Sequence, residues 1–372
     1  FLPLAAPGVQ QLQPYVPGKP VEELERELGI SGSIKLASNE NPLGPSEKAM
    51  TAATSVLHSV NYYPDGGGYK LRQALASKHQ VNINAITLGN GSNDVLELVA
   101  RAFLSPQHSA VFSQYAFAVY PIVTQAIGAR ANIAPAYAAD HADMPYGHDL
   151  DALLAAIDDS TRVVFIANPN NPTGTWLQTL ALTVFLQQVP SDVMVVLDEA
   201  YYEYMPDELK PDSNALLKQF DNLIVTRTFS KLYGLAGLRI GYSVSHPQVA
   251  DLLNRVRQPF NANLIAQAAA LAALDDDAHV TASVQLNNLG LQQLADGFSA
   301  MGLCHIPSIG NFITVDVKRD ALQMYQDLLH EGVIVRPLAN YQLPQHLRIT
   351  VGTEAQNSRV LEALHKLLNS AA

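Results

Sequence analysis

TFSKLYGLAGLRIGY, residues 228–242, directly follows an apolar run at 223–225 that is typical of a buried strand. The stretch places Lys231 just after that strand and adds three glycines and Arg239 within eleven residues. Burial disfavours the charged ammonium and lowers the pKa of a lysine, so that the neutral amine becomes a nucleophile toward aldehydes. An exposed lysine beside ordinary loop glycines is the alternative, and this stretch alone leaves both open.

Length and composition indicate a globular protein of two domains. The chain has 372 residues, more than one hydrophobic core usually supports, and is 48% hydrophobic and 15% charged. Its net charge is −11, with 34 acidic against 23 basic residues and no run of lysine or arginine. These values argue against a nucleic-acid-binding face, and an anionic substrate would need a local cluster of arginines.

Cysteine content and hydropathy predict a cytoplasmic protein. The single cysteine, Cys304, can form neither an intrachain disulfide nor a thiolate metal site, which fits a reducing compartment. The sequence has no apolar run of about 18 residues, and residues 1–10 lack the basic start of an export signal. Because the chain does not begin with methionine, we expect a few leading residues to be missing.

Apolar runs alternate with helical patterns between residues 46 and 258, as in RVVFIA, DVMVVL and NLIVT. Continuous Val, Ile and Leu runs separated by helices predict an α/β fold with a mostly parallel sheet and helices on both faces. Ligands of such sheets bind at the carboxyl ends of the strands, where Asn171, Asp198 and Lys231 all fall.

The ends of the chain predict a second, smaller α+β domain. After residue 259 an alanine-rich helical stretch precedes strands around FITVDV, VIVRPL and HLRITV. Before residue 46, a proline-containing stretch at 9–19 that is unlikely to be helical precedes the amphipathic helix VEELEREL. We therefore divide the chain into an N-terminal arm with part of the small domain (1–45), a large domain (46–258) and a small C-terminal domain (259–372).

Two loops carry groups suited to a phosphate and to a flat ring. ITLGNGSNDVLELVARAFL predicts a strand, a glycine loop and a helix beginning near Asp94. Free N–H groups of Ser92 and Asn93 at that helix start suit a phosphate, although many α/β units use such a turn only to reverse the chain. In the next aromatic loop, Phe117 or Tyr115 could cover the face of a ring.

A buried lysine that holds a cofactor aldehyde as a Schiff base needs particular partners. A pyridine ring that withdraws electrons requires a carboxylate at its nitrogen, for which Asp198 is the candidate. Asn171 and Tyr201 can donate to the phenolate oxygen of such a ring, and Ser230 and Arg239 can bind its phosphate. Taken singly, these residues could instead cap a helix, form a turn or pair with a surface acid, and their co-occurrence favours the cofactor site.

Several sequence blocks resemble one enzyme family. NPNNPTG (168–174), DEAYYEY (198–204) and the 228–242 stretch resemble the signature blocks of fold type I pyridoxal-phosphate-dependent aminotransferases, in that family's order. The blocks PYVPGKPVEELERELG, LASNENPLGPS, YYPDGGGYKLRQALA, LGNGSNDVLELVARAF and LRITVGTEAQN further resemble the histidinol-phosphate aminotransferases. The similarity covers essentially the whole chain.

The resemblance implies a fold, a cofactor and a reaction. The fold would be a large domain with a mostly parallel seven-stranded sheet flanked by helices, plus a smaller α+β domain. With pyridoxal 5′-phosphate as cofactor, the enzyme would interconvert histidinol phosphate plus 2-oxoglutarate and imidazole acetol phosphate plus glutamate. No metal, membrane or nucleic acid is implied.

The resemblance also implies site residues. The catalytic residues would be Lys231, Asp198 and Tyr201. The cofactor would be bound by Ser92, Asn93, Phe117, Asn171, Asp198, Tyr201, Ser230, Lys231 and Arg239. Tyr63 would reach the cofactor phosphate of the neighbouring subunit, which implies a homodimer with shared active sites. The substrates would be bound by Tyr15, Asn41, Arg336 and Arg348.

Two departures and three alternatives stay open at this point. Many members of the family read GNGSDE where this chain has GNGSND, and several carry tyrosine where the spacing from Tyr120 selects Phe117, with Tyr115 as the alternative. An aromatic or broad-specificity aminotransferase would share the cofactor motifs, and a threonine-phosphate decarboxylase uses a related scaffold. A cofactor-sensing regulator would carry a DNA-binding domain, for which the chain offers no basic patch.

Overall fold

The computed structural model describes residues 1–15 and 17–370 as two main sheets with their covering helices. Within these residues the α-helices are α1 (Pro7–Gln10), α2 (Val21–Leu28), α3 (Glu47–Ser55), α4 (Tyr69–His79), α5 (Ser92–Phe103), α6 (Val119–Ile127), α7 (Leu150–Ala155), α8 (Thr179–Gln188), α9 (Ser213–Gln219), α10 (Pro247–Val256), α11 (Leu264–Ala273), α12 (Asp277–Ala300), α13 (Ala321–His330) and α14 (Glu354–Ser370). Short 3-10 turns are found at Leu2–Leu4, Leu57–Ser59, Ile83–Ala85, Tyr202–Tyr204, Asp207–Leu209, Ala236–Leu238 and Ala339–Tyr341. In this part of the chain, no helix combines the length and the apolar character needed to cross a bilayer.

The strands form a seven-stranded sheet, a four-stranded sheet and one isolated pair. Their bounds are β1 (Ile34–Lys35), β2 (Ile86–Gly89), β3 (Ser109–Ser113), β4 (Arg130–Ala134), β5 (Thr161–Ala167), β6 (Met194–Asp198), β7 (Leu223–Thr228), β8 (Gly241–Ser245), β9 (Cys304–Ile306), β10 (Phe312–Asp316), β11 (Val333–Ile334), β12 (Arg336–Leu338) and β13 (Leu343–Thr350).

The large sheet has the order β2-β8-β7-β6-β5-β3-β4. All neighbouring strands in it run parallel except β8, which is antiparallel to both β2 and β7. The predicted α/β fold with a mostly parallel seven-stranded sheet is therefore confirmed. Strands β5, β6 and β7 lie side by side, so their carboxyl ends meet at one edge of the sheet.

Both faces of the large sheet are covered by helices, which explains its continuous apolar strands. Val163 and Phe165 of β5 pack on one face with residues of α5 and α6. The alternating residues Val164 and Ile166 pack on the other face with α8. Because successive side chains of a strand point to opposite faces, a strand buried on both sides must be apolar throughout.

The smaller sheet has the order β12-β13-β10-β9 and is entirely antiparallel. Its apolar face packs against α12, α13 and α14 around Phe298 and Val360. Strand β1 of the N-terminal region pairs in parallel with β11, with Ile34 opposite Val333. This pairing joins the N-terminal region to β11 in the C-terminal part of the chain.

The domain bounds stay a prediction, and the packing of α11 favours a later boundary than 258. Ala266 and Ala270 of α11 share a core cluster with Ala49 of α3 and with Phe229, which follows β7. An alanine-rich helix can approach α3 closely because its side chains are small. We therefore propose that the large domain extends through α11.

Two helices differ from what the sequence predicts. Helix α5 starts at Ser92 rather than near Asp94, because the Asp94 carboxylate reaches back to accept from the Asn90 N–H at 2.8 Å. Helix α1 extends to Gln10, inside a stretch expected to be non-helical, because Pro7 suits the first position of a helix.

Gly234, in the loop after Lys231, tests how tightly that loop is built. It has φ +68°, and a Cβ there would lie 2.3 Å from the Gly44 carbonyl oxygen. We expect Gly234→Ala to lower the free energy of unfolding by about 2–4 kcal/mol. Gly237→Ala is the control, since no atom lies within 4 Å of its added Cβ. Urea denaturation would measure both, and equal effects would contradict the close packing.

Candidate active site

A cavity of about 340 Å³ lies at the carboxyl ends of β5, β6 and β7. Asn171 follows β5, Asp198 ends β6 and Lys231 follows β7, so strand topology brings three residues that are distant in sequence into one site. Its remaining lining residues come from several elements: Tyr15, Ser38, Asn39, Ser92, Asn93, Phe117, Val119, Ile122, Ala167, Pro169, Ala200, Tyr201, Thr228, Ser230, Arg239 and Arg348.

Lys231 presents an amine that is easily made neutral. Its Nζ donates a hydrogen bond to the Ser38 carbonyl oxygen at 2.9 Å. Burial, followed by the positive charge of Arg348, lowers the pKa of Lys231 to about 7. A substantial fraction of the amine is therefore unprotonated near neutral pH and able to attack an aldehyde or remove a proton.

Asp198 is a buried carboxylate held by two hydroxyl groups. It is only 4% exposed, and it accepts from Tyr120 Oη at 2.9 Å and from Thr226 Oγ1 at 3.1 Å. Burial raises the pKa of Asp198 to about 6, against the lowering effect of these two hydrogen bonds. A cationic ring nitrogen beside this carboxylate would relieve the cost of its burial.

Tyr201 and Asn171 line the cavity and are both held by other side chains. The Tyr201 hydroxyl oxygen accepts from Asn39 Nδ2 at 2.8 Å, and burial raises the pKa of Tyr201 to about 12. Asn171 Oδ1 accepts from Arg348 Nη1, which leaves the Asn171 amide N–H groups for another acceptor. Tyr201 keeps its hydroxyl proton at neutral pH and can donate it.

A cradle suited to a phosphate is formed where α5 begins. Gly91 precedes α5 with φ +83°, and a Cβ there would lie 2.5 Å from Arg239 Nη2. A Cβ at Gly241 would lie 2.4 Å from the Ser92 backbone nitrogen. The Arg239 guanidinium also donates to Ser230 Oγ at 3.3 Å. Glycine at these positions lets an arginine approach the N-terminus of a helix, and that combination fits a phosphate dianion.

The aromatic loop selects Phe117 for the cavity. Phe117 lines the cavity and meets Tyr120 edge to face at 5.8 Å between ring centroids. Tyr115 instead packs edge to face on Tyr146, beside Tyr341 and outside the cavity lining. The geometry therefore favours Phe117 as the residue available to a flat ring.

Arg348 reaches the cavity from β13 of the smaller sheet. Its guanidinium is buried, and its Nη2 donates to the Ala37 carbonyl oxygen at 2.7 Å. Its Nε is buried without a hydrogen-bond partner. Arg348 lines the cavity, and each of its terminal nitrogens carries a second hydrogen, so the guanidinium suits a carboxylate or phosphate oxygen of a ligand.

The other residues expected to bind substrate are placed differently. Tyr15 lines the cavity, and its ring lies 5.5 Å from the Arg336 guanidinium carbon. Arg336 lines an adjoining cavity of about 400 Å³ that shares Tyr15 and Ile122 with the first. Asn41 lines neither cavity, since its Nδ2 donates to the Leu232 carbonyl at 2.6 Å and to Ser283 Oγ at 2.9 Å. These two bonds hold the loop of Asn41 against Leu232 and α12, and a contact between Asn41 and substrate stays a prediction.

Tyr63 lies outside the cavity of its own chain. It is 82% exposed and stacks on Phe260, with 4.5 Å between ring centroids. An exposed stacked pair of this kind is compatible with the expected contact to a neighbouring subunit, which stays a prediction.

Several residues of the site were not predicted from the sequence. Ser38, Asn39 and Thr228 line the cavity, and Tyr120 and Thr226 hold Asp198. Tyr120 follows Phe117 by three residues, which on a helical turn places both on one side, and that spacing was the available signal. Over the described ranges, no group of three or more His, Cys, Asp or Glu side chains is placed to hold a metal ion.

Comparisons with known proteins point to one family. Residues 31–364 match the family profile described as "Aminotransferase class I and II". The chain is 60% identical over 370 residues to a protein of Pseudomonas fluorescens (strain Pf0-1) named "Histidinol-phosphate aminotransferase 2", covering 99% of this chain and 98% of that one. It is 58% identical to a protein of the same name from Pseudomonas aeruginosa, with the same coverage.

A solved structure has the same fold over its whole length. It is the crystal structure of histidinol-phosphate aminotransferase from Sinorhizobium meliloti in complex with pyridoxal-5′-phosphate. The TM-score is 0.89 at 30% identity, and the match covers 99% of this chain and 98% of that chain.

The raised pKa of Asp198 predicts a pH-dependent stability. Because the folded-state pKa, about 6, exceeds the ordinary value of 3.8, the ligand-free folded protein binds the extra proton between these values. The contribution of this extra proton to the free energy of unfolding amounts to about 3 kcal/mol. It is complete below about pH 4 and is lost as pH rises through about 6. We expect Asp198→Asn to remove this loss, so the variant gains stability relative to the parent as pH rises from 4 to 7.

Urea denaturation at a series of pH values would measure the difference. Asp221→Asn, at an exposed position, is the matched control and should keep the parent pH dependence. Parallel pH profiles for Asp198→Asn and the parent would mean that folding leaves the pKa of Asp198 at its ordinary value, which would contradict the prediction.

Proposed function

The chain belongs to the class I and II aminotransferases, and we propose that it transfers an amino group between glutamate and imidazole acetol phosphate, forming histidinol phosphate and 2-oxoglutarate in histidine biosynthesis. Support for this substrate pair comes from the 60% identity that spans both full chains. The observation that carries the reaction class is the meeting of Lys231, Asp198 and Tyr201 in one cavity beside a phosphate cradle.

The residues of this cavity fit pyridoxal 5′-phosphate. When bound, this cofactor supplies an aldehyde that takes up the substrate amino group and a ring that withdraws electrons from the substrate α-carbon. Ser92, Asn93, Ser230 and Arg239 would hold its phosphate. Asp198 would pair with the ring nitrogen, Asn171 and Tyr201 would donate to the ring oxygen, and Phe117 would cover the ring face.

Lys231 would act as the acid and base of both half-reactions. Its amine has a pKa of about 7, so it can accept a proton from the substrate α-carbon and return one without a large energetic cost. The Ser38 carbonyl accepts a hydrogen bond from the amine and keeps it within the cavity.

Arg348 would anchor both substrates. Glutamate carries carboxylates and histidinol phosphate carries a phosphate ester, and one site must accept both substrates. A planar guanidinium whose terminal nitrogens each carry a second hydrogen can bind both kinds of oxyanion. Tyr15 and Arg336, at the junction with the second cavity, would contact the remainder of the substrate.

We further propose that the enzyme is a homodimer of the cytoplasm. Exposed Tyr62 and Tyr63 and the stacked Phe260 offer an apolar surface to a second subunit. The lone cysteine, Cys304, fits a reducing compartment.

A half-reaction screen tests the proposed function. Amino acids and histidinol phosphate are added separately to the purified, cofactor-loaded enzyme, and loss of the cofactor absorbance band is followed. We expect glutamate and histidinol phosphate to bleach the band fastest. Comparable bleaching by phenylalanine or tyrosine would instead indicate an aromatic or broad-specificity aminotransferase. A protein that takes up no pyridoxal phosphate would overturn the proposal.

Lys231→Ala is the variant for the same assay. It should lose the absorbance of the lysine-linked cofactor, because Lys231 is the one lysine among the described residues that line the cavity. Lys218→Ala, at an exposed position of α9, should keep it. An unchanged band in Lys231→Ala would remove the lysine from its proposed role.

Hybrid dimers test whether Tyr63 acts across subunits. Lys231→Ala and Tyr63→Ala proteins are mixed by unfolding and refolding together, then assayed at a cofactor concentration too low to load the Tyr63→Ala homodimer. If Tyr63 serves the partner's site, the hybrid has one intact site and the mixture recovers about a quarter of parental activity. No recovery beyond the two separate proteins would mean that Tyr63 acts within its own subunit or not at all.

A further inference from the structure

A short segment before α3, residues 36–39, contacts three of the proposed active-site residues in succession. The Ala37 carbonyl accepts from Arg348 Nη2 at 2.7 Å, and the Ser38 carbonyl accepts from Lys231 Nζ at 2.9 Å. Asn39 Nδ2 then donates to Tyr201 Oη at 2.8 Å. Of these contacts, only the one made by Asn39 depends on a side chain of the segment, so Asn39 is where the sequence can specify a function.

The backbone of Asn39 is held from two sides. Its N–H donates to Thr350 Oγ1 at 2.9 Å, and its carbonyl accepts from Asn311 Nδ2 at 2.9 Å. The residue has φ +56° and is 1% exposed. Among residues with a side chain, asparagine tolerates this left-handed conformation best. The small sheet therefore determines where the Asn39 amide lies.

The hydrogen-bond partners also determine which way the amide points. Thr350 Oγ1 accepts from the Asn39 N–H, so its single hydrogen is free to donate to Asn39 Oδ1, 3.1 Å away. If the amide were reversed, Thr350 Oγ1 would face two donors, and its own buried hydrogen would lose that acceptor. The oriented amide places its Nδ2 donor at Tyr201.

This orientation leaves one direction for the Tyr201 hydroxyl hydrogen. The contact with Asn39 uses an acceptor site of the phenol oxygen, because an amide N–H can only donate. The hydroxyl hydrogen must then be donated elsewhere, and Tyr201 lines the cavity. An acceptor in the cavity therefore receives an aligned hydrogen bond without competition from Asn39.

We propose that Asn39 is a positioning residue, itself oriented by Thr350, that directs the Tyr201 hydroxyl proton toward the ring oxygen of the bound cofactor. This inference rests on the proposed function, since it requires pyridoxal phosphate in the cavity. It assigns a role to Asn39, which contacts Tyr201, and to Thr350, which contacts Asn39. Neither residue is required by the reaction itself.

The pH titration of the cofactor absorbance is the measurement that responds to this role. The negative ring oxygen attracts the proton on the nitrogen that links Lys231 to the cofactor, and a hydrogen bond from Tyr201 weakens this attraction by stabilising the oxygen's charge. When the donor is no longer aligned, the oxygen attracts the proton more strongly and the pKa of the linking nitrogen rises. The absorbance transition then moves to higher pH.

Asn39→Gly is the first variant, because glycine keeps the left-handed backbone and removes only the amide. In the holoenzyme we expect the absorbance transition to rise by roughly one pH unit, the size expected for one hydrogen bond to a charged group. A purely structural role for Asn39 predicts a lower melting temperature with an unmoved transition, and that result would overturn the proposal.

Thr350 offers a second test that leaves Tyr201 and Asn39 intact. Thr350→Val keeps the shape but removes the hydroxyl that orients the amide, so the transition should rise in the same direction. Thr350→Ser keeps the hydroxyl and should keep the parental transition. If Asn39→Gly does not fold, this pair decides, and equal transitions in the valine and serine variants would overturn the proposal.

The parent enzyme separates failure of this inference from failure of the proposed function. A parent that binds pyridoxal phosphate and shows a pH-dependent band, with variants that do not differ from it, refutes only the role of Asn39. A parent without such a band refutes the proposed function itself.

Discussion

Burying a charged group without an opposite charge is costly, and the cavity at the ends of β5, β6 and β7 does this more than once. Burial lowers the pKa of Lys231 to about 7 and raises that of Asp198 to about 6, so both groups are moved toward their neutral forms. A ligand that brings an aldehyde and a cationic ring nitrogen relieves the costs at Lys231 and Asp198, which is why this arrangement suits a pyridoxal-phosphate enzyme.

The strand ends that carry these groups are fastened by a buried ion pair. Glu199, directly after Asp198, pairs with Arg227 of β7 at 2.8 Å, and the Arg227 guanidinium lies 3.6 Å from the centroid of the Tyr202 ring. Ser213 donates to the same carboxylate. Such a pair adds little net stability over apolar residues, but removing one partner would leave the other charge buried and unpaired. The ion pair therefore fixes the ends of β6 and β7 relative to each other. It thereby also fixes the relative positions of Asp198 and Lys231.

The site is completed by the smaller sheet rather than by the large sheet alone. Arg348 and Thr350 lie on β13, and Thr350 N–H donates to the Leu36 carbonyl at 2.9 Å. The Thr314 hydroxyl of β10 donates to the Pro172 carbonyl, next to Asn171. Hydrogen bonds thus connect strands β10 and β13 of the smaller sheet to the loop that follows β5 and to the segment that contacts Lys231 and Tyr201. The two sheets therefore build this one cavity together.

The sequence by itself determined the fold class, the cofactor and most of the residues that would bind it. It could do so because Asn171, Asp198, Lys231 and Arg239 belong to short motifs at strand ends, and the topology of parallel sheets brings such ends together whatever the detailed packing. Only the tertiary structure decided the rest. It bonded the Asn41 amide to Leu232 and Ser283, and it brought Tyr120 to Asp198 and Asn39 to Tyr201. Asn39 and Tyr201 are 162 residues apart, and periodicity and local propensity carry no information about a contact between two such distant loops.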